Sequence, residues 1–100
     1  MKICITSQGQ TMNATVDPRF GRAAFFIIVD PETKEFQAVE NKALNASGGA
    51  GIAAAKQVID LKAKAVLTGN CGPKAFQMLQ AGNVQVFSGI DLCIAQKALS

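Results

Sequence analysis

One hundred residues fit a single domain, expected over residues 1–100, and leave no room for two. Hydrophobic residues make up 49% and charged residues 17%, which excludes a disordered or low-complexity chain. A net charge of +3 is too mild for a dedicated nucleic-acid binder. Its lysines (Lys2, Lys34, Lys42, Lys56, Lys62, Lys64, Lys74 and Lys97) are scattered rather than set in a stripe with aromatics.

With neither Trp nor Tyr, the core must be built from aliphatic side chains and Phe. The three cysteines, Cys4, Cys71 and Cys93, are odd in number and match no zinc spacing. The absence of His closes the mixed Cys/His zinc site. The N-terminal MKICITSQGQ has too short an apolar stretch for a signal peptide. No segment nears the ~20 apolar residues of a membrane span. The expectation is a cytoplasmic protein with free thiols and no membrane partner.

The first predicted strand is Lys2 to Thr6, KICIT, ended by the polar run SQGQTMN. A long loop, Ser7 to Arg22, closes with DPRFGR, where Asp17-Pro18 signals a turn. Loops of this length in a small domain are uncommon and often functional. The nearly all-apolar Ala24 to Asp30 reads as a strand buried on both faces. A turn at Pro31–Lys34 leads into Glu35 to Asn41, which completes a hairpin.

After the loop KALNASGG, Ile52, Ala55, Val58 and Ile59 recur at helical spacing, so a helix is expected from Gly51 to Lys62. Ala65 to Thr68 is a short strand. Pro73 then suits the first turn of a helix reaching Gln80, with Phe76 and Leu79 inward and Gly82 as its C-cap glycine. Val84 to Phe87 forms a last strand, and Leu92 to Leu99 has the spacing of a final short helix.

The order β-β-β-α-β-α-β-α implies an α/β fold: a five-stranded mixed sheet with flanking helices, ribonuclease H-like. Its first, fourth and fifth strands should end on one edge, the edge that open α/β sheets use for ligands. Segments Ser7–Arg22, Asn45–Gly51, Gly69–Pro73 and Ser88–Asp91 should converge there. Two helices start at that edge, and free N–H groups at helix starts favour anions. Arg19 and Arg22 would add fixed charge.

Candidate ligand-binding residues are therefore Ser7, Arg19, Phe20, Gly21, Arg22, Gly48, Gly49, Gly51, Asn70, Cys71 and Gly72. Each has a plainer reading. DPRFGR can be a turn over a buried Phe20, and SGGAG an ordinary helix start. Met12 reads as a loop residue that could line an apolar pocket. Cys71, just before a helix, is expected to have a lowered thiol pKa and to favour the thiolate that ligates metal; it can also be a passive half-buried thiol.

Three segments in register, Asp17–Ala23 (DPRFGRA), Gly49–Lys56 (GAGIAAAK) and Thr68–Phe76 (TGNCGPKAF), resemble the dinitrogenase iron–molybdenum cofactor biosynthesis family. The likeness covers nearly the whole chain. It implies a ribonuclease H-like fold and a small non-enzymatic protein that carries or assembles an anionic metal–sulfur cluster. The cargo so implied is iron–molybdenum cofactor or another molybdenum/iron–sulfur cluster, with cofactor-assembly proteins as partners. Some members are thought to use His as a ligand, which this chain lacks; if metal is ligated directly, Cys71 is the candidate, and otherwise backbone N–H groups, Arg19 and Arg22 hold the cluster. Two other readings stand beside this one: a protein-interaction domain without metal, and a hydrolase or nuclease. A nuclease of this fold needs clustered carboxylates. KICIT supplies none, and Asp17, Asp30, Asp60 and Asp91 are dispersed.

Overall fold

A computed structural model describes residues 2–44 and 48–89. Five strands form one sheet: β1 (Ile3–Ser7), β2 (Phe25–Val29), β3 (Phe36–Glu40), β4 (Ala65–Leu67) and β5 (Gln85–Phe87). Their spatial order is β3-β2-β1-β4-β5. β1 pairs antiparallel with β2, and β2 with β3, whereas β4 and β5 continue parallel to β1. The carboxyl ends of β1, β3, β4 and β5 therefore share one edge, as the ribonuclease H-like expectation requires.

Helices α1 (Ala50–Asp60) and α2 (Pro73–Ala81) are the crossovers into β4 and β5. The alternation of the strands divides the core. Cys4, Phe26, Ile28 and Val66 face the helices, with Ala54, Ala55, Val58 and Leu79 packed on them. Ile5, Ile27 and Val29 face the other way, with Val16 beside them. β2 buries four of its five residues, which is why it reads as a continuous apolar run.

Several expectations need correction. Phe76, expected inward, is 38% exposed, and Ala75 joins Leu79 as the buried residue of α2. α1 buries Ala50, Ala54, Ala55 and Val58, leaving Ile52 only half-buried. Small residues on that face let the helix lie close to its neighbours. α1 ends at Asp60 rather than Lys62, because Lys62 adopts a left-handed φ of 65°. Gly82 is the C-cap of α2 with φ −88°, and Asn83 takes the left-handed position (φ 63°) expected of a glycine. The expected helix over Leu92–Leu99, with Cys93, lies outside the described residues, as do Asn45, Ala46 and Ser47.

The long loop is ordered in two parts. Its first part folds back along β1: Gln8 N–H donates to Thr15 O (3.0 Å), and Asp17 N–H to Thr6 O (2.8 Å). Met12 is partly buried and packs against the second core face. From Asp17 onward the loop turns to the β4–α2 loop, where Phe20 N–H donates to Asn70 O.

Candidate functional site

The Asp17–Arg22 segment is built on a buried carboxylate. Asp17 Oδ1 accepts the N–H of Arg19 at 3.0 Å and its Nε at 3.3 Å, an Asx turn readable from Asp-Pro-Arg. The turn is pinned to the sheet by Thr6, whose hydroxyl donates to Asp17 O (2.7 Å) and shares a 2.8 Å hydrogen bond with Thr68 Oγ1. Phe20 N–H then donates to Asn70 O at 3.1 Å, joining this segment to the β4–α2 loop. Phe20 is buried and its ring stacks on Phe26, with centroids 5.8 Å apart.

Asn41, at the end of β3, holds the third segment. Its Nδ2 donates to Gly21 O (3.1 Å) and Ala23 O (2.9 Å), and its Oδ1 accepts Ala43 N–H (2.9 Å). Arg22 reaches across to Leu44 O at 2.7 Å. Close backbone packing completes the junction. A Cβ on Gly21 would lie 3.0 Å from the Cα and N of Gly51, and one on Gly51 would lie 3.3 Å from Ala75 Cβ. The starts of α1 and α2 are thereby brought side by side, with Gly21 wedged at their base.

Between them lies a pocket of about 330 Å³, with Phe20, Gly21, Gly49, Gly51, Gly72 and Lys74 in its lining. Neither helix has a side-chain N-cap or an acid in its first turn. The N–H groups of that first turn are accordingly left to solvent or a ligand. Gly49, the N-cap of α1, is glycine because φ is +68°. Gly72 has no such reason: its φ of −63° and ψ of 161° suit any residue, and a Cβ there would touch nothing within 4 Å. Gly48 likewise borders open space.

The eleven candidates thus separate. Phe20, Gly21, Gly49, Gly51 and Gly72 line one pocket. Arg19, Asn70 and Cys71 belong to the paired chain segments beside it: Arg19 bridges Asn70 through the backbone. Arg19 keeps 66% of its side chain exposed although it touches Asp17, and its terminal amino groups have no partner among the described residues. Gly48 is exposed next to the N-cap.

Ser7 and Arg22 are not in the pocket lining. Ser7 is fully buried, donating to Gly9 O (2.6 Å) and accepting Gly9 N–H (3.1 Å). Arg22 is exposed and links two loops through its bond to Leu44 O. Reading the sequence alone missed Asn41, the Thr6–Thr68 pair and Lys74. A polar residue closing an otherwise half-apolar strand was the available signal for the first two.

Cys71 corrects its expectation. α2 begins at Pro73 with Gly72 as N-cap, so the thiol stands outside the helix and the first helical residue has no N–H to offer. The half-buried side chain packs against the helix-side core. Burial pushes its pKa up from 9.0, not down. Among the described residues no three His, Cys, Asp or Glu side chains converge on a possible metal position. No helix among them is long and apolar enough to cross a membrane.

The fold is that of a small α/β domain whose loops meet at the carboxyl edge of a mixed sheet. The sequence model of the dinitrogenase iron-molybdenum cofactor family matches residues 1–99, and the chain belongs to that family. The apo form of the orange protein from Desulfovibrio gigas superposes with a TM-score of 0.93 at 42% identity, covering 95% of this chain and 81% of that one. A Thermotoga protein named for NifB and placed in the DUF35 family gives a TM-score of 0.79 at 29% identity, covering 97% and 82%. The uncharacterized protein MJ0580 of Methanocaldococcus jannaschii is 32% identical over 89 residues, covering 82% of this chain and 75% of its own length.

Proposed function

We propose that the chain is a non-catalytic cytoplasmic carrier of an anionic metal–sulfur cluster, of the iron–molybdenum cofactor type or another molybdenum-containing cluster. The cargo sits in the pocket between the starts of α1 and α2. The observation that carries this reading is the pair of uncapped helix starts facing glycines with open space. At Gly72 neither backbone conformation nor packing calls for glycine, and a bare backbone lets a bulky anion approach the N–H groups closely. Family membership and the likeness to the orange protein support the same class of cargo.

Backbone N–H groups of both first turns, with Arg19 and Lys74, supply the attraction. Hydrogen bonds from N–H groups suit the diffuse negative charge of sulfide better than a point charge would. Cys71 is the candidate direct ligand. Being protonated at neutral pH, its thiol must lose a proton to bind metal, so ligation would release one proton. The cluster's own sulfides would complete the coordination, since the described residues offer no further ligand set.

Anaerobic gel filtration with metal analysis tests this. The protein is offered tetrathiomolybdate with copper, or an iron–molybdenum–sulfur cluster. Stoichiometric metal should co-elute, and Arg19→Ala should weaken retention. Loss of metal in Cys71→Ala assigns that thiol as a ligand, whereas retention assigns the holding to backbone and cations. Failure of the wild type to retain any of these clusters overturns the carrier reading.

A further inference from the structure

β3 is an outer strand of the sheet. Asn41 N–H reaches inward to Ala24 O, and Glu35 O accepts Asp30 N–H. By alternation Phe36, Ala38 and Glu40 turn their peptide groups outward. One outward position is already answered by a side chain. Gln57 of α1 donates Nε2 to Glu40 O at 2.8 Å and accepts Lys42 N–H on Oε1 at 3.1 Å. Its amide stands where a peptide group of a further strand would stand. Both backbone groups of Ala38 and the N–H of Glu40 have no partner among the described residues.

Beside this edge lies a larger concavity than the one at the helix starts, about 450 Å³ between β3 and α1. Val39, Ala43, Ala53 and Leu61 give it an apolar floor. Lys42 and Lys56 line it, exposed and without an ion-pair partner among the described residues. Asp60 is the one acid in the lining, so the groove is net positive.

We propose that this groove docks an extended acidic segment of a partner protein. The segment adds to β3 as a sixth strand, continuing the pairing that Gln57 begins, and turns every second side chain to the groove. On that one face apolar side chains lie on the floor and carboxylates meet Lys42 and Lys56. A second copy of this chain fits less well, because Gln37 and Val39, the residues its β3 would turn to the groove side, bring no carboxylate to Lys42 and Lys56. The groove runs toward Lys42–Leu44, and Leu44 O holds Arg22, so a docked partner ends beside the helix-start pocket. The docking stands independently of what that pocket carries.

The test titrates the full chain with a fluorescein-labelled Thr-Val-Thr-Glu repeat peptide, whose Val and Glu share one face of a strand, read by anisotropy and by amide chemical shifts. A Thr-Val-Thr-Lys repeat serves as control. Expected is a dissociation constant of about 0.1–1 mM, with shifts centred on Ala38, Glu40 and Gln57. Lys42→Glu with Lys56→Glu should weaken it roughly tenfold, and added salt should weaken it further. Ala38→Pro, which edge strands tolerate, should abolish it; should that variant fail to fold, the charge reversal decides. No saturable binding, shifts away from β3 and α1, equal binding of the lysine repeat, or indifference to charge reversal would each overturn the proposal. So would a stable homodimer dispersed by Ala38→Pro, which would give the edge to a second copy.

Discussion

Replacing Gly21 by Ala tests how the helix starts are brought together. The added methyl carbon would lie 3.0 Å from the Cα and N of Gly51 and 3.3 Å from the carbonyl carbon of Ala50. All three are backbone atoms in the first turn of α1, so no side chain can swing aside. Either α1 moves by several tenths of an ångström or the Asp17–Arg22 segment lifts from it. Shifting α1 presses it on Ala75, because Gly51 already faces that residue; lifting the segment strains the bonds from Asn41 Nδ2 to Gly21 O and Ala23 O. Overpacking of this kind costs about 1–3 kcal/mol. For a chain of this size a cost of ~2 kcal/mol lowers the melting temperature by roughly 10 °C. Gly72→Ala is the matched control, with an ordinary φ and nothing within 4 Å, and should stay within about 0.5 kcal/mol of wild type. Urea unfolding of the two variants measures the difference. Equal midpoints for Gly21→Ala and wild type would refute the close approach of loop and helix.

Three other outcomes are expected. Asn41→Ala strips the partners from two carbonyls and one N–H and should cost about 2–4 kcal/mol, measured by urea unfolding. Thr6→Val removes the bond to Asp17 O and should cost about 1–2 kcal/mol by the same method, the buried Thr68 hydroxyl having lost its neighbour. Burial raises the thiol pKa of Cys4 and of Cys71 above 9.0 in the folded chain. The folded state then holds protons that the unfolded state gives up. Stability from this source is full below pH 9.0 and falls as pH rises above it, so unfolding midpoints should decline in alkali, and less steeply in Cys4→Ala.

The strands and helices were legible because their apolar patterns are unambiguous, as in Phe25–Val29 and in the spacing along α1. Convergence of the loops followed from strand direction alone. What the pattern concealed was depth. Phe76 and Ala75 are adjacent, and only the approach of α1, allowed by Gly51, decides that the smaller one is buried. The same holds for Ser7, whose polar side chain looks available in sequence but is satisfied locally by Gly9. Arg19 and Arg22 look equivalent in DPRFGR and both are exposed, yet Arg19 bonds Asp17 within its own turn whereas Arg22 reaches Leu44 O, a carbonyl 22 residues away. Cys71 seemed activated because its proximity to a helix was legible, whereas its burial and the missing N–H of Pro73 act through geometry. Asn41 was overlooked because a buried amide declares itself only through partners distant in sequence.

Substituting Gly72 by Leu tests the carrier account most directly. The backbone there accepts any side chain and the space around it is open, so the unfolding midpoint should match wild type. The leucine would occupy the approach to the helix starts. Anaerobic gel filtration after exposure to tetrathiomolybdate and copper should then show stoichiometric metal on the wild type and none on Gly72→Leu. Equal metal on both, with both folded, would place the cargo elsewhere and contradict the account.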